Sequence, residues 1–236
     1  MYDIEVSKHF LKSKPFFFSG VDEVGRGPLA GPVVACSVSL HSLKFNLTEL
    51  QSFFDFIKCL GINDSKKISL KKRIQIINSL IQNKILPEKI KQKKLYTWSF
   101  SENLSISIAL TEVSEKEIDK INILNASLLA MRLSVLTTLN FEENNLVLVD
   151  GNFGFNIDNV AVMPVIKGDE KSLLIGLASI IAKNYRDHLM KCYAKNYPYY
   201  NWEKNSGYGT KEHLNGIKKY GITKHHRKSF KGVLTI

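Results

Sequence analysis

The chain has 236 residues, enough for one sizeable core and one or two domains. At 44% hydrophobic and 23% charged it has an ordinary globular balance, and no stretch approaches the ~20 apolar residues of a membrane span. The net charge is +11, and three widely spaced cysteines (Cys36, Cys59, Cys192), with no C-x-x-C pair, argue against a disulfide scaffold and a zinc site. They read as buried free thiols of a reducing cytoplasm. The N-terminal MYDIEVSKHFLKSKP has no apolar core of signal-peptide type, which again implies a cytoplasmic protein.

In chain order, the first predicted strands are Phe16–Asp22 and Val33–Leu40, the second bounded by Pro32. A helix is predicted over Leu70–Gln82, with Ile74, Ile77 and Ile81 on one face and lysines on the other. Strands follow at Leu95–Ser101 and at Ser105–Thr111, where Ile106, Ile108 and Leu110 alternate with polar residues. Ser114 and Glu117 have the spacing of a capping box and open a helix to about Leu139, with a break near Asn122. Leu146–Asp150 and Val160–Ile166 read as buried strands. A long helix is predicted over Glu170–Asn196, with Leu173, Leu177, Ile180, Tyr185 and Leu189 roughly on one side, and a last one over Thr210–Tyr220, stopped by Gly221. The pattern implies an α/β fold: a mixed sheet flanked by helices, with the α/β domain over residues 16–196 and a helical C-terminal extension over 197–236.

Positive charge is concentrated. Residues 64–94 and 200–236 together hold eighteen of the 33 Lys and Arg but only four of the 22 Asp and Glu. Two such segments suit a polyanion, whose phosphates bind by charge neutralisation and counterion release. A solvated helix face would show the same composition.

The acids are placed differently. Asp22, with Glu23 beside it, and Asp150 fall where predicted strands end, the location at which an α/β fold holds a carboxylate rigidly yet open to a crevice. Asp169 precedes the long helix, where N-capping alone would explain it. Convergent carboxylates need a cation, and an all-oxygen set without nearby His or Cys selects a hard ion, Mg²⁺ or Mn²⁺. The segment GRGPLAG that follows Glu23 has neither dinucleotide-fingerprint spacing nor the Lys-Ser/Thr of a P-loop. It offers instead a backbone that a large ligand can approach closely, with Arg26 available to a phosphate.

Eight ordered blocks carry a family resemblance. They are GVDEVGRGPLAGPVVA, NDSKK, EIDKINILNAS, VDGN, KGDEKS, ASIIAKNYRD, GYGT and HHRKSF. Together, from about Ser19 to Phe230, the sequence resembles bacterial ribonuclease HII, the type 2 ribonuclease H family. The resemblance implies a ribonuclease H-like sheet and an endoribonuclease that cuts RNA in RNA–DNA hybrids. It also implies cleavage 5′ to single ribonucleotides in duplex DNA, leaving 3′-hydroxyl and 5′-phosphate ends. Asp22, Glu23, Asp150 and Asp169 match the family's metal-binding acids, which hold Mg²⁺ or Mn²⁺. Gly25, Arg26 and Gly27 match the loop that grips the backbone at the RNA–DNA junction. Tyr208 matches the tyrosine that stacks there and helps to recognise the 2′-hydroxyl, the one handle that separates RNA from DNA. Lys66 and Lys67 match a phosphate-contacting turn.

The resemblance has departures. Ser206 stands where the family commonly has lysine, so a phosphate contact is missing or comes from Lys204. Gly176 stands where alanine is usual. Asp187 reads as a structural ion-pair partner, and His213, His225 and His226, in a basic tail, as DNA contacts or solvated groups. No second chain is implied, so the expectation is a monomer. Two alternatives remain at this point: a non-catalytic nucleic-acid binder, and a metal-dependent DNA nuclease or nucleotidyl transferase.

Overall fold

The computed structural model describes residues 1–11, 15–62, 68–80, 91–92, 94–140 and 144–234. Its six strands are β1 (Phe16–Val24), β2 (Val33–Ser42), β3 (Tyr96–Ser99), β4 (Leu104–Val113), β5 (Asn144–Asp150) and β6 (Ala161–Val165), in the sheet order β3-β4-β2-β1-β5-β6. β1 pairs antiparallel with β2 and parallel with β5. The sheet is mixed because the early strands connect directly, whereas β5 and β6 run parallel to β1.

Strand periodicity builds two cores from one sheet. Phe16, Phe18, Val34, Cys36, Val38, Leu146 and Leu148 face one side, whereas Phe17, Val21, Val33, Ala35, Val147 and Val149 face the other. Helix α6 (Leu173–Asn196) covers the first side over β1 and β2, and α4 (Glu115–Thr138) covers the second. A strand buried on both faces has little use for a charge inside it, which is why LVLVD carries its single charge at its end. The closest approach is at Gly20, where any Cβ would lie 2.5 Å from the α6 backbone at Leu174 and Ile175. This contact fixes α6 just inside Asp22.

α4 is long and apolar enough, by length and composition, to span a membrane, contrary to the expectation that no stretch would be. Here Ile118, Ala126, Ala130 and Val135 are spent on the sheet. Its break is at Asn122 (φ 65°), whose side-chain oxygen accepts from the Asn125 amide at 3.0 Å and so caps the second half.

Three further predictions are corrected. In α3 (Leu70–Leu80) the buried face is Arg73, Ile76, Ile77 and Leu80; Ile74 is exposed, and Ile81 lies outside the described residues. The helix predicted from Glu170 is two helices, α5 (Gly168–Lys171) and α6, separated at Ser172, whose backbone is extended. Its buried face is also broader than expected, with Leu189 only half-buried while Arg186 and Met190 point inward.

The break at Ser172 has a cause the sequence did not announce. The N-terminal helix α1 (Tyr2–Phe10) brings the fully buried Asp3 to it. The Asp3 carboxylate accepts from the Ser172 hydroxyl at 2.6 Å and the Leu173 amide at 2.8 Å. α2 (Leu47–Cys59) caps on Asn46 and adds Phe53, Phe54 and Ile57 to the α6-side core.

The C-terminal part holds α7 (Trp202–Asn205) and α8 (Lys211–Tyr220), capped by Thr210 and ended at Gly221 (φ 77°). It packs on the end of α6 through Met190, Ala194, Tyr200, Trp202 and Ile217. Two supposed surface groups are interior: His213 and His226 are 0% and 1% exposed.

Candidate active site

Register places the acids. Val21 of β1 pairs with Val149 of the parallel β5, and Asp22 and Asp150 are the next residues of the two strands. Both therefore emerge at the same end of adjacent strands. With Glu23 they line a cavity of about 460 Å³, whose walls also include Gly25, Arg26, Gly27, Arg73, Ser179, Lys183 and Tyr208.

Their electrostatics are those of crowded acids. Burial drives the Asp22 carboxyl well above the usual carboxylate range, and the negative charges of Glu23 and Asp150 push it further. Ser179 of α6 and the Glu23 amide oppose this by hydrogen bonding to it. Burial also raises Glu23; Arg26, at 3.4 Å, counters, and Asp150 adds to the rise. The Glu23 Oε2 atom is buried and has no hydrogen-bond partner. A buried, unpartnered carboxylate oxygen among mutually repelling acids fits a divalent cation, and the all-oxygen donor set fits Mg²⁺ or Mn²⁺. The acids are not gathered into a closed cage. Among the described residues no three His, Cys, Asp or Glu side chains form a ready ligand group. Asp150 Oδ1 accepts from the amides of Gly168 at 2.6 Å and Asp169 at 3.4 Å, and Glu23 leans on Arg26.

Asp169 is thus tied to Asp150 through its backbone, and it is 6% exposed. Its carboxylate is not among the groups lining the cavity. Gly168 makes the approach: a Cβ there would stand 2.6 Å from Ile175 and 3.0 Å from Asp150 Oδ1. Lys167 turns the chain into this position with φ 55°.

The glycine loop and Tyr208 come together although 181 residues separate Gly27 from Tyr208. A Cβ on Gly27 would lie 3.3 Å from the Tyr208 ring. Leu29 donates to the Gly207 carbonyl at 2.8 Å, and Gly207 (φ 87°) has no room for a Cβ, which would sit 2.4 Å from the Ala30 oxygen. The Tyr208 ring is 48% exposed at the cavity rim, free to meet a ligand. Lys66 and Lys67 lie outside the described residues.

The sequence reading missed Arg73, Ser179 and Lys183. Asp187 joins two of them, with Arg73 at 2.9 Å and Lys183 at 2.6 Å, the structural ion pairing expected of it. A helical wheel would have found Ser179, Lys183 and Arg186, spaced four and three apart on the face of α6 below Asp22. Arg73 and the buried Arg227 also leave the count of surface bases.

Acids at the ends of adjacent strands, beside a cleft with a glycine-loop rim, fit a nuclease of the ribonuclease H kind. Comparison with known proteins makes this specific. The ribonuclease HII family model matches residues 19–233. Ribonuclease HII of Christiangramia forsetii is 42% identical over 90% of this chain and 89% of its own. Among solved structures, Archaeoglobus fulgidus RNase HII, in complex with PCNA, superposes with a TM-score of 0.66 at 21% identity over 91% of this chain and 95% of its own. Bst-RNase HIII in complex with Mn²⁺ gives 0.59 at 14% over 97% and 70%. These two bear on the fold. The chain belongs to the ribonuclease HII family. It is a hydrolase, an endoribonuclease of RNA–DNA hybrids that serves in ribonucleotide removal.

Proposed function

We propose that Asp22, Glu23 and Asp150, with Asp169 beside them, hold Mg²⁺ or Mn²⁺, two ions when substrate is bound, and that the enzyme cuts on the 5′ side of a ribonucleotide. The observation that carries the reading is the convergence of three acids on the cavity whose rim is the glycine loop and Tyr208. When bound, the ions supply an activated water and charge stabilisation at the phosphodiester, leaving 3′-hydroxyl and 5′-phosphate ends.

The chain's own residues do the rest. Asp150, which lines the cleft, is oriented by the Gly168 amide donating to its Oδ1. Ser179 and the Glu23 amide hold Asp22 as an acceptor. The loop from Gly25 to Gly27 lets a sugar–phosphate backbone approach without side-chain obstruction. Tyr208, packed on Gly27, offers its ring face to a sugar or terminal base and so reads the ribose in the one place where RNA and DNA differ. Lys183 and Arg26 place positive charge at the walls, and Lys66 and Lys67 are assigned to phosphates on the resemblance. Acids, loop and tyrosine all come from one chain, which supports action as a monomer; the three cysteines are free, consistent with a reducing cytoplasm, but against expectation only Cys36 is buried, with Cys59 exposed and Cys192 half-buried.

The test is incubation with Mg²⁺ or Mn²⁺ and a duplex carrying one ribonucleotide. Cleavage on its 5′ side is expected, with an all-DNA duplex left intact. No cleavage, or equal cutting of both, removes the reading.

A further inference from the structure

Under the glycine loop lie two arginines with no part in the chemistry above. Arg186 of α6 and Arg227 are 1% and 0% exposed. Among the described residues, every hydrogen bond from their guanidiniums ends on a main-chain carbonyl. Arg186 donates to Pro32 at 3.1 Å, Ala30 at 3.0 Å and Ser206 at 2.9 Å. Arg227 donates to Gly31 and Arg26 at 2.9 Å and Gly25 at 2.6 Å. Five carbonyls between Gly25 and Pro32 are thus drawn inward by two side chains.

This is a costly way to satisfy carbonyls. Two positive charges are buried near each other, and burial lowers Arg186 to about 10 and Arg227 to about 9, the latter pushed further by Arg186. Neutral donors would satisfy the same oxygens more cheaply. What arginine alone supplies is a planar fork that fixes several acceptors at once. Arg186 uses the fork across two chain segments, with two bonds to the loop and one to Ser206, two residues before Tyr208. The loop has been shaped to it, since a Cβ at Gly25 (φ 93°) would stand 2.2 Å from Arg186 Nε.

We propose that Arg186 and Arg227 are positioning residues for ribonucleotide recognition: their forks lock the Gly25–Pro32 loop and the Ser206–Tyr208 turn into one frame, so that loop backbone and tyrosine ring meet the same sugar. The proposal rests on the reading that this rim receives the ribonucleotide. Arg227 fixes the loop, and Arg186 fixes the offset between loop and tyrosine.

The experiment is a double-mutant cycle between Arg186→Lys and Tyr208→Ala. Lysine keeps the charge and loses the fork. The readout is selectivity, the ratio of kcat/KM on a single-ribonucleotide duplex to that on a long RNA–DNA hybrid, with the melting temperature measured alongside. Arg186→Lys is expected to lower selectivity about tenfold, the scale of loss when a reacting group is misplaced by a fraction of an ångström. Tyr208→Ala should then lower it little further. Arg227→Lys should act in the same direction. Equal losses on both substrates tracking the melting temperature, or additive losses in the cycle, would overturn the proposal. Should Arg186→Lys fail to fold, Gly207→Ala replaces it, because its Cβ would push the tyrosine turn off the Ala30 carbonyl with both arginines kept. Unchanged selectivity in that variant also overturns the proposal. If the wild-type enzyme itself does not distinguish the ribonucleotide duplex from DNA, the underlying reading has failed, and the frame falls with it.

Discussion

The two walls of the cleft are built on opposite principles. At the strand ends, Asp22, Glu23 and Asp150 are crowded and under-satisfied: burial and mutual repulsion raise Asp22 and Glu23, and Glu23 Oε2 has no partner. At the rim, five loop carbonyls are drawn into two buried forks, and Tyr208 is held through its neighbours. Binding capacity for cations requires unspent lone pairs. Recognition of one hydroxyl requires a surface that does not move. The difference teaches that two kinds of cost sit within a few ångströms of each other: the acids leave lone pairs unspent, whereas the rim buries charge to hold a shape.

The largest effects should come from the acids. Asp22→Asn or Asp150→Asn is expected to lower kcat at least about a thousandfold, roughly 4 kcal/mol of lost transition-state stabilisation. Duplex binding in metal-free buffer should be unchanged or tighter. Retained turnover would take that residue out of the metal site. The comparison also sets a sign for stability. Asp22 has a raised folded pKa, so the native state binds its proton more tightly than the unfolded chain does, and ionised Asp22 opposes folding at neutral pH. Asp22→Asn should therefore melt higher than wild type in chelator at pH 7, and acidification should narrow the gap.

At the rim, Tyr208→Ala should lower kcat/KM on a single-ribonucleotide duplex about tenfold, in the ~1–3 kcal/mol range of an aromatic contact to a nucleotide. Affinity for all-DNA duplex should change little. An equal loss on DNA would make the ring a general contact and blur the division between the two walls.

Between these lies Asp3, which anchors the start of α6 from the far end of the chain. Asp3→Ala leaves the Leu173 amide and the Ser172 hydroxyl without their acceptor. A loss of about 1–2 kcal/mol in denaturant unfolding is expected, with a smaller loss of activity through the adjoining Asp169 turn. An unchanged stability would show the α5–α6 break to be held by Ser172 alone.

Legibility in the sequence followed the same division. The acids could be read because a charge closing an apolar run, as in LVLVD, has few structural reasons to be there. The strands β1 and β2 were readable from their apolar, β-branched runs, but the buried hydroxyl cluster of Ser19, Ser37 and Ser39 with Thr138 of α4 was not. Tyr208 was found only through its GYGT context, because one exposed ring among nine tyrosines carries no local signal. The frame beneath it was illegible. Arg186, Arg227, His213 and His226 have the composition of a basic surface, and only tertiary packing turns them inward. Asp3 was illegible because its partners lie 169 and 170 residues away. The α3 face was misread by one position because Arg73, a base with no local sign of burial, packs inward against Asp187.

The smallest expected effect tests whether the rim's rigidity has a pH limit. His226 accepts from the Thr223 amide at Nδ1, so in the neutral ring Nε2 carries the proton and donates at 3.1 Å to His213 Nε2, an acceptor it shares with the Trp202 indole N–H at 3.0 Å. His213 then donates from Nδ1 to the Tyr208 carbonyl at 2.9 Å. The chain of bonds requires both rings to be neutral, and burial, with His213 nearby, lowers His226 to about 4. The unfolded chain takes up that proton near pH 6.5 and the folded one only near 4, so stability is full above about 6.5 and declines as the pH falls through this window. His41, also lowered to about 4 by burial, adds to the slope from the far end of β2. In His226→Gln the melting temperature should be lower at pH 7.5 but less dependent on pH between 7 and 5, by a few degrees. An unchanged slope would mean that His41 and other groups carry the acid sensitivity, and that the Tyr208 frame is insensitive to protons across the range in which the enzyme folds.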